Sequence, residues 1–373
     1  MNEGVERRGA LRVPSGTAST LIPFSELMPE VAGYDECCGG LSFGVIGFGK
    51  MGVLHSAILN LLSPGSVKCV VERSRLLVFG ASMLIGDISF YTGIDGMLRK
   101  GSPDVVYVTT PTPSHYEVVS RLLDASVRYI FVEKPPAANS KELASLMSKM
   151  GGGQLVMAGF QKRFALPFRH ARMLLSKGVI GDVEGATAYI KSGDIAEPTG
   201  RFDSLGRGVL LDLGVHLVDL LTWILGARFV EASRCRSIHT RVDDHFEAVL
   251  RTEDGAKVDL EVSWCSPEFR LPETYIRVRG SKGVVEVTED YLRAESAEEH
   301  PLLGDRKRLE LYKPEYYRDA PPVNLADPEY TLENLHFLRC IRSGEEPLTS
   351  LRNVVETMEV IDELYRRAGV FVG

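Results

Sequence analysis

The sequence predicts an α/β protein in which a doubly wound parallel sheet is followed by an α+β domain of mostly antiparallel strands. Three observations carry this expectation. Between Leu41 and about Phe160, short apolar runs alternate with helical patterns, the rhythm of repeated βαβ units. A glycine-rich turn from Gly47 to Gly52 joins the first strand to the first helix. Beyond Gln161 the rhythm gives way to period-two strands with hairpin signals between them.

Residues 1–40 read as an extension rich in turn formers, ending in Gly39-Gly40, with no role assigned by its residues. Arg7-Arg8 resembles the start of a twin-arginine export signal. The following stretch to Leu27 argues against export, because it holds Pro14, Ser15, Thr17, Ser19, Thr20, Pro23 and Ser25 where an apolar core is required. In the domain of residues 41–160, strands are expected at Ser42 to Ile46, Val67 to Glu72, Ile88 to Tyr91, Val105 to Thr109, Arg128 to Val132 and Leu155 to Ala158. The runs at 105–109 and 128–132 are nearly all apolar or β-branched, as in strands covered by helices on both faces. In the domain of residues 161–373, helices are expected near Phe168 to Lys177 and Gly208 to Leu225. Then Val258, Leu260, Val262 and Trp264 alternate with Lys257, Asp259, Glu261 and Ser263, a half-buried strand after a turn at Asp254-Gly255. Gly280 to Gly283 marks another turn, and helical patterns at Glu329 to Arg342 and Arg352 to Arg367 close the chain. No internal repeat interrupts this order.

Composition narrows the function. The 373 residues are 44% hydrophobic and 25% charged, which excludes disorder throughout. A net charge of −7 without long runs of one sign argues against a nucleic-acid groove or an anionic membrane as partner, and leaves a small molecule. The six cysteines lack CxxC pairs and zinc spacing, so no metal is expected and the thiols read as reduced, in a cytoplasmic protein. No apolar run reaches the ~18 residues of a membrane span. The longest candidate, Val209 to Leu225, is broken by Asp212, His216 and Asp219.

Gly47-Phe48-Gly49-Lys50-Met51-Gly52 follows an apolar strand and opens a helix, the context of a dinucleotide fingerprint. Gly47 permits the turn, Gly49 lets a pyrophosphate approach the backbone, and Gly52 lets helix and strand pack closely. The free N–H groups of the helix start then face the phosphates. Glu72, twenty residues after Gly52, ends the second strand where a carboxylate binds ribose hydroxyls. Together these predict a Rossmann domain. The carboxylate favours NAD, while Arg73 and Arg75 leave NADP open.

Glu133-Lys134-Pro135 ends the fifth strand, at the sheet edge where α/β proteins bind ligands. A solvated loop charge is the plainer reading of Lys134 alone. The helix at 208–225 adds weight, because Asp212, His216 and Asp219 stand at i, i+4 and i+7 among leucines and valines and would share one face. Such groups are costly to bury unless paired or lining a wet cavity. They form either a catalytic face or an internal Asp-His-Asp cluster.

These residues resemble the glucose-fructose oxidoreductase, inositol dehydrogenase and rhizopine catabolism (Gfo/Idh/MocA) family over about residues 41–373. The resemblance rests on GVIGFGKMG from Gly44, TTPTPSH from Thr109, VEKPP from Val132 and GRGVLLDLGVHLVDLL from Gly206. It implies that Lys134 binds and polarises the reacting hydroxyl, His216 exchanges its proton, and Asp212 orients substrate or histidine. It also places Thr110, Pro111, His115 and Glu133 beside the cofactor, although His115 equally reads as a helix-start residue after a Ser114 cap. The second domain is then an open-faced sheet that joins subunits into a homodimer or homotetramer. Many members have three glycines where this chain has Gly206-Arg207-Gly208. Arg207, with Arg163 and Arg201, is a candidate cationic wall for an acidic substrate group.

The expected activity is hydride transfer between the nicotinamide cofactor and a secondary alcohol or ketone of a sugar, inositol, sugar nucleotide or related polyol. Two other classes compete: a non-catalytic dinucleotide-binding sensor, and a glycosidase or epimerase that recycles a tightly held NAD. Retention of Lys134, Asp212 and His216 argues against the sensor. Absence of net cofactor reduction would mark the recycling enzyme.

Overall fold

The computed structural model describes residues 22, 24–29, 40–84, 86–193, 208–239, 242–303, 307–318 and 327–369. A short helix α1 (Phe24–Leu27) precedes the first sheet. Its strands are β1 (Phe43–Ile46), β2 (Val67–Val71), β3 (Ser89–Tyr91), β4 (Val105–Val108), β5 (Tyr129–Glu133) and β6 (Leu155–Gly159). They are linked by helices α2 (Lys50–Leu62), α3 (Arg75–Leu84), α4 (Ile94–Lys100), α5 (His115–Asp124) and α6 (Ser140–Lys149).

All pairs in this sheet are parallel, in the order β3-β2-β1-β4-β5-β6. Every residue of β1 and β4 is buried, which is why their sequences are unbroken runs of apolar side chains and one glycine. Strand order reverses between β1 and β4, and a crevice opens beyond their carboxyl ends.

The chain continues through α7 (Leu166–Ser176), β7 (Val183–Lys191), α8 (Val215–Leu225), β8 (Phe229–His239), β9 (Asp243–Thr252) and β10 (Lys257–Ser263). Then come β11 (Glu273–Gly280), β12 (Gly283–Val287), β13 (Tyr291–Ser296), β14 (Arg308–Tyr312), α9 (Lys313–Tyr316), α10 (Pro328–Ser343) and α11 (Val355–Arg367). The second sheet runs β14-β13-β12-β11-β7-β10-β9-β8 and is antiparallel except between β7 and β10. The alternation read from the sequence is realised in β10, where Val258, Leu260 and Val262 are buried and the intervening residues face outward.

The last two long helices reach beyond the second sheet. Helix α10 packs against α2 and β6, and α11 against α6 and α8 as well as β8 of the second sheet. The C-terminal segment therefore braces the first sheet as well. Among the described residues, no helix is long and apolar enough to cross a membrane.

Candidate active site

At the mouth of the crevice the glycines divide their work. Gly47 has φ +95, and a Cβ there would meet the Thr109 carbonyl oxygen and the Thr110 nitrogen at 2.9 Å. A Cβ on Gly52 would stand 2.0 Å from the Gly47 carbonyl oxygen, so this glycine lets α2 close on the turn. Gly49 has open space within 4 Å of its Cβ direction, room that a pyrophosphate would fill. Gly49 is the N-cap of α2 and provides no side-chain cap, which leaves the first N–H groups, from Lys50 and Met51 onward, to a ligand.

The ribose end is equally prepared. Glu72 Oε2 accepts the Phe48 N–H at 3.1 Å and Oε1 the Ser74 N–H at 2.9 Å, so the carboxylate is held in place before any ligand arrives. Gly47, Glu72, Arg73, Thr110 and Pro111 line one crevice of about 370 Å³ with Thr92, Ile94 and Arg121 among its other walls. These residues fit a dinucleotide: a phosphate cradle at a helix start and a fixed carboxylate where ribose hydroxyls would lie. Glu72→Ser is therefore expected to shift preference from NADH towards NADPH, measured as the ratio of their dissociation constants. An unchanged ratio would assign selection to Arg73 instead.

Lys134 follows β5 and reaches across to the second domain. Its Nζ donates to Asp212 Oδ1 at 2.8 Å and to the Asp212 carbonyl oxygen at 2.9 Å. Asp212 lies in Leu210–Gly214, where the helix widens to π geometry before α8 begins. This turn is pinned from outside. Asp243 Oδ1 accepts the Gly208 N–H at 2.8 Å and Oδ2 the Leu210 N–H at 2.9 Å. A Cβ on Gly208 would collide with the Asp243 carbonyl oxygen at 1.9 Å, so the approach requires glycine. Burial raises the Asp243 carboxyl, and these N–H donors oppose the shift.

His216 is buried, edge-on to Phe160 at 6.0 Å, and its Nδ1 has no hydrogen-bond partner among the described residues. Burial, then the charges of Lys134 and Lys162, hold its pKa well below the ordinary histidine value. The ring is therefore neutral and able to take a proton. Lys162 forms an ion pair with Glu289, and both side chains are largely buried. Its effect on His216 puts it in the same electrostatic neighbourhood, a residue that the sequence reading passed over for its neighbour Arg163.

Several expected site residues are placed otherwise. Arg163 gives Nε and Nη2 to the Asp219 carboxylate at 2.7 and 2.6 Å and Nη1 to the Leu348 carbonyl oxygen at 3.2 Å. It braces the interior and presents no free guanidinium to an acidic substrate. By the same pairing Asp219 is committed to Arg163 and Thr357, whereas Asp212, on the π turn before α8, meets Lys134.

Glu133 turns inward to His55 and its Oε2 accepts the Lys134 N–H. His115 is buried and ties two loops together, with Nδ1 2.7 Å from the Pro135 carbonyl oxygen and Nε2 2.6 Å from that of Thr110. Burial lowers its pKa against the pull of those acceptors. Ser114 does not cap α5; its hydroxyl turns to Thr110 and Pro111. Arg201 and Arg207 lie outside the described residues.

Known proteins divide in the same way. The family described as "Oxidoreductase family, NAD-binding Rossmann fold" matches residues 41–157, and the GFO/IDH/MocA C-terminal domain matches residues 168–286. The trans-1,2-dihydrobenzene-1,2-diol dehydrogenase of Mus musculus is 28% identical over 285 residues, covering 75% of this chain and 82% of that protein. The myo-inositol 2-dehydrogenase of Thermotoga maritima is 24% identical over 322 residues, 83% of this chain and 91% of that protein. A levoglucosan dehydrogenase solved with NADH and levoglucosan shares the fold, with a TM-score of 0.75 at 20% identity over 88% of this chain and 97% of that one. With the two family models matched in order over most of its length, the chain belongs to the GFO/IDH/MocA family of NAD-binding oxidoreductases.

Proposed function

We propose that this oxidoreductase converts a secondary alcohol of a neutral, polyhydroxylated ring to the ketone, or the reverse, with Lys134, His216 and Asp212 as its catalytic residues. Bound NAD supplies the hydride acceptor. Lys134 binds the reacting oxygen and stabilises the developing alkoxide. A ring nitrogen of His216 takes the hydroxyl proton, and Asp212 orients the Lys134 ammonium.

The observation that carries this reading is a Lys134 ammonium held by Asp212 together with the neutral imidazole of His216, whose Nδ1 has no partner among the described residues and which feels the lysine's charge. Relatives named for myo-inositol, D-apiose and dihydrobenzenediol support the substrate class. Neutrality of the substrate is supported by the charges. Among the described residues, Lys134 and Lys162 each already face a carboxylate, Asp212 and Glu289, and Arg163 is neutralised by Asp219. Measuring NADH formation with inositols, anhydrosugars, aldoses, sugar nucleotides and uronic acids tests this. Uronic acids turned over in preference to neutral polyols would overturn the neutral class.

The outward face of the second sheet supports a homo-oligomer. Tyr189 and Tyr275 stack there at 5.0 Å, and Lys191 pairs with Glu261 across neighbouring strands. Light scattering is expected to find a dimer or tetramer at micromolar concentration. Reversing the charge of Asp259 and Glu261 together should weaken it, and an unaffected oligomer would put the contact elsewhere.

A further inference from the structure

A buried polar chain beneath Lys134 is not used by the chemistry above. His55 stands three residues after Gly52 on α2, fully buried, with its ring 4.9 Å from that of Phe131 and 5.4 Å from that of Tyr107. Its Nε2 lies 2.9 Å from Glu133 Oε1. On the other side, Asn334 Nδ2 on α10 lies 3.0 Å from His55 Nδ1 and donates to the Tyr330 carbonyl oxygen at 2.7 Å. A carboxylate only accepts, so Nε2 carries the hydrogen towards Glu133 and Nδ1 accepts from Asn334. Glu133 Oε2 in turn accepts the backbone N–H of Lys134 at 3.2 Å.

The chain connects two places that a dehydrogenase must hold in register. The start of α2 is the phosphate cradle, and the end of β5 bears the lysine. Hydride transfer tolerates little error between them, since a misplacement of about 1 Å costs roughly 10²-fold in rate. The neighbouring Glu333 shows what Glu133 would become without its donors. It is fully buried, neither oxygen has a partner among the described residues, and burial and the charges of Glu133 and Glu329 push its carboxyl well above the usual range.

We propose that His55 is a positioning residue for hydride transfer, fixing the Lys134 end of β5 to the cofactor-binding helix α2 through the Glu133 carboxylate. This rests on the reading of Lys134 as catalytic. Removing the imidazole nitrogens strands Glu133, frees the Lys134 backbone from its anchor and loosens the ammonium against the substrate oxygen. The substrate and NAD contacts themselves stay in place.

His55→Phe keeps a ring in the Phe131 and Tyr107 stack and removes both nitrogens. With a substrate found by the screen above, kcat is expected to fall roughly 10- to 100-fold, while KM and the NADH dissociation constant stay near wild type. His55→Gln, whose amide N–H falls near the position of Nε2, should recover most of the rate. In a double-mutant cycle, adding His55→Phe to Lys134→Ala should cost nothing further, because the lysine through which it acts is gone.

Wild-type kcat in His55→Phe overturns the proposal, and so does a double variant whose loss is the product of the two single losses. If His55→Phe does not fold, Glu133→Gln asks the same question, since the amide oxygen can accept from His55 or from the Lys134 N–H but not from both. Its loss should again vanish in the Lys134→Ala background. A Lys134→Ala enzyme of wild-type turnover would instead refute the reading of Lys134, a result separable from any on His55.

Discussion

Alanine at Lys134 or at His216 is expected to slow turnover roughly 10²- to 10⁴-fold, the range for losing a positioned acid or base, while NADH affinity stays near wild type. The two sites are separable because the phosphate cradle and Glu72 lie at the ends of β1 and β2 and the start of α2, whereas Lys134 follows β5 and His216 lies on α8. Lys134→Ala should still fold. Its partner Asp212 is about one-third exposed and can be solvated when the ion pair is lost.

The pH profile discriminates further. On the proposed mechanism alcohol oxidation requires neutral His216, whose pKa is depressed by burial first and then by Lys134 and Lys162. Activity is therefore present above the depressed value and lost as pH falls through it, giving an acid limb below the ordinary 6.5. Removing the Lys134 charge lets the pKa rise, so the limb of Lys134→Ala should move towards neutral pH. In His216→Ala the limb should disappear. If both alanine variants keep near-native turnover on a verified substrate, these side chains form a structural cluster in a binding protein.

What the sequence revealed and what it concealed follow from the range of the interactions. The parallel sheet was legible because strands such as Val105–Val108 are buried on both faces and show it as an apolar run. The nucleotide turn was legible because its glycine spacing is local, Gly52 facing the Gly47 carbonyl oxygen within the turn, although Gly47 itself is held against Thr109 and Thr110 at the end of β4. The roles around the helix at Gly208 were not. The expected common face of Asp212, His216 and Asp219 presumed an unbroken α-helix with available carboxylates, whereas Asp212 sits in the π turn at Leu210–Gly214 and Asp219 is taken by Arg163.

Neighbouring basic residues were also indistinguishable in sequence. Lys162 and Arg163 share a short 3-10 turn, yet one faces Glu289 and the other Asp219. Asp243, Glu289 and His55 left no local pattern, since each meets partners tens of residues away in the chain. The one available signal was a lone histidine in the mostly apolar sequence of α2.

Two glycine substitutions should separate loss of the ligand from loss of the fold. Gly49 has φ −80 and ψ −165, extended backbone that any residue adopts, and its Cβ direction is empty. Gly49→Val is thus expected to leave the melting temperature unchanged and to abolish NADH binding, because the isopropyl group occupies the path of the pyrophosphate. Gly52→Ala differs in kind. Its methyl would begin 2.0 Å from the Gly47 carbonyl oxygen and 2.9 Å from Thr109 Oγ1, backbone and buried side chain that cannot swing aside. The helix must back away from the turn, so calorimetry should show a lower melting temperature together with weaker NADH binding. Wild-type affinity in Gly49→Val would mean that the pyrophosphate does not cross this turn, and the assignment of α2 as the phosphate cradle would fall with it.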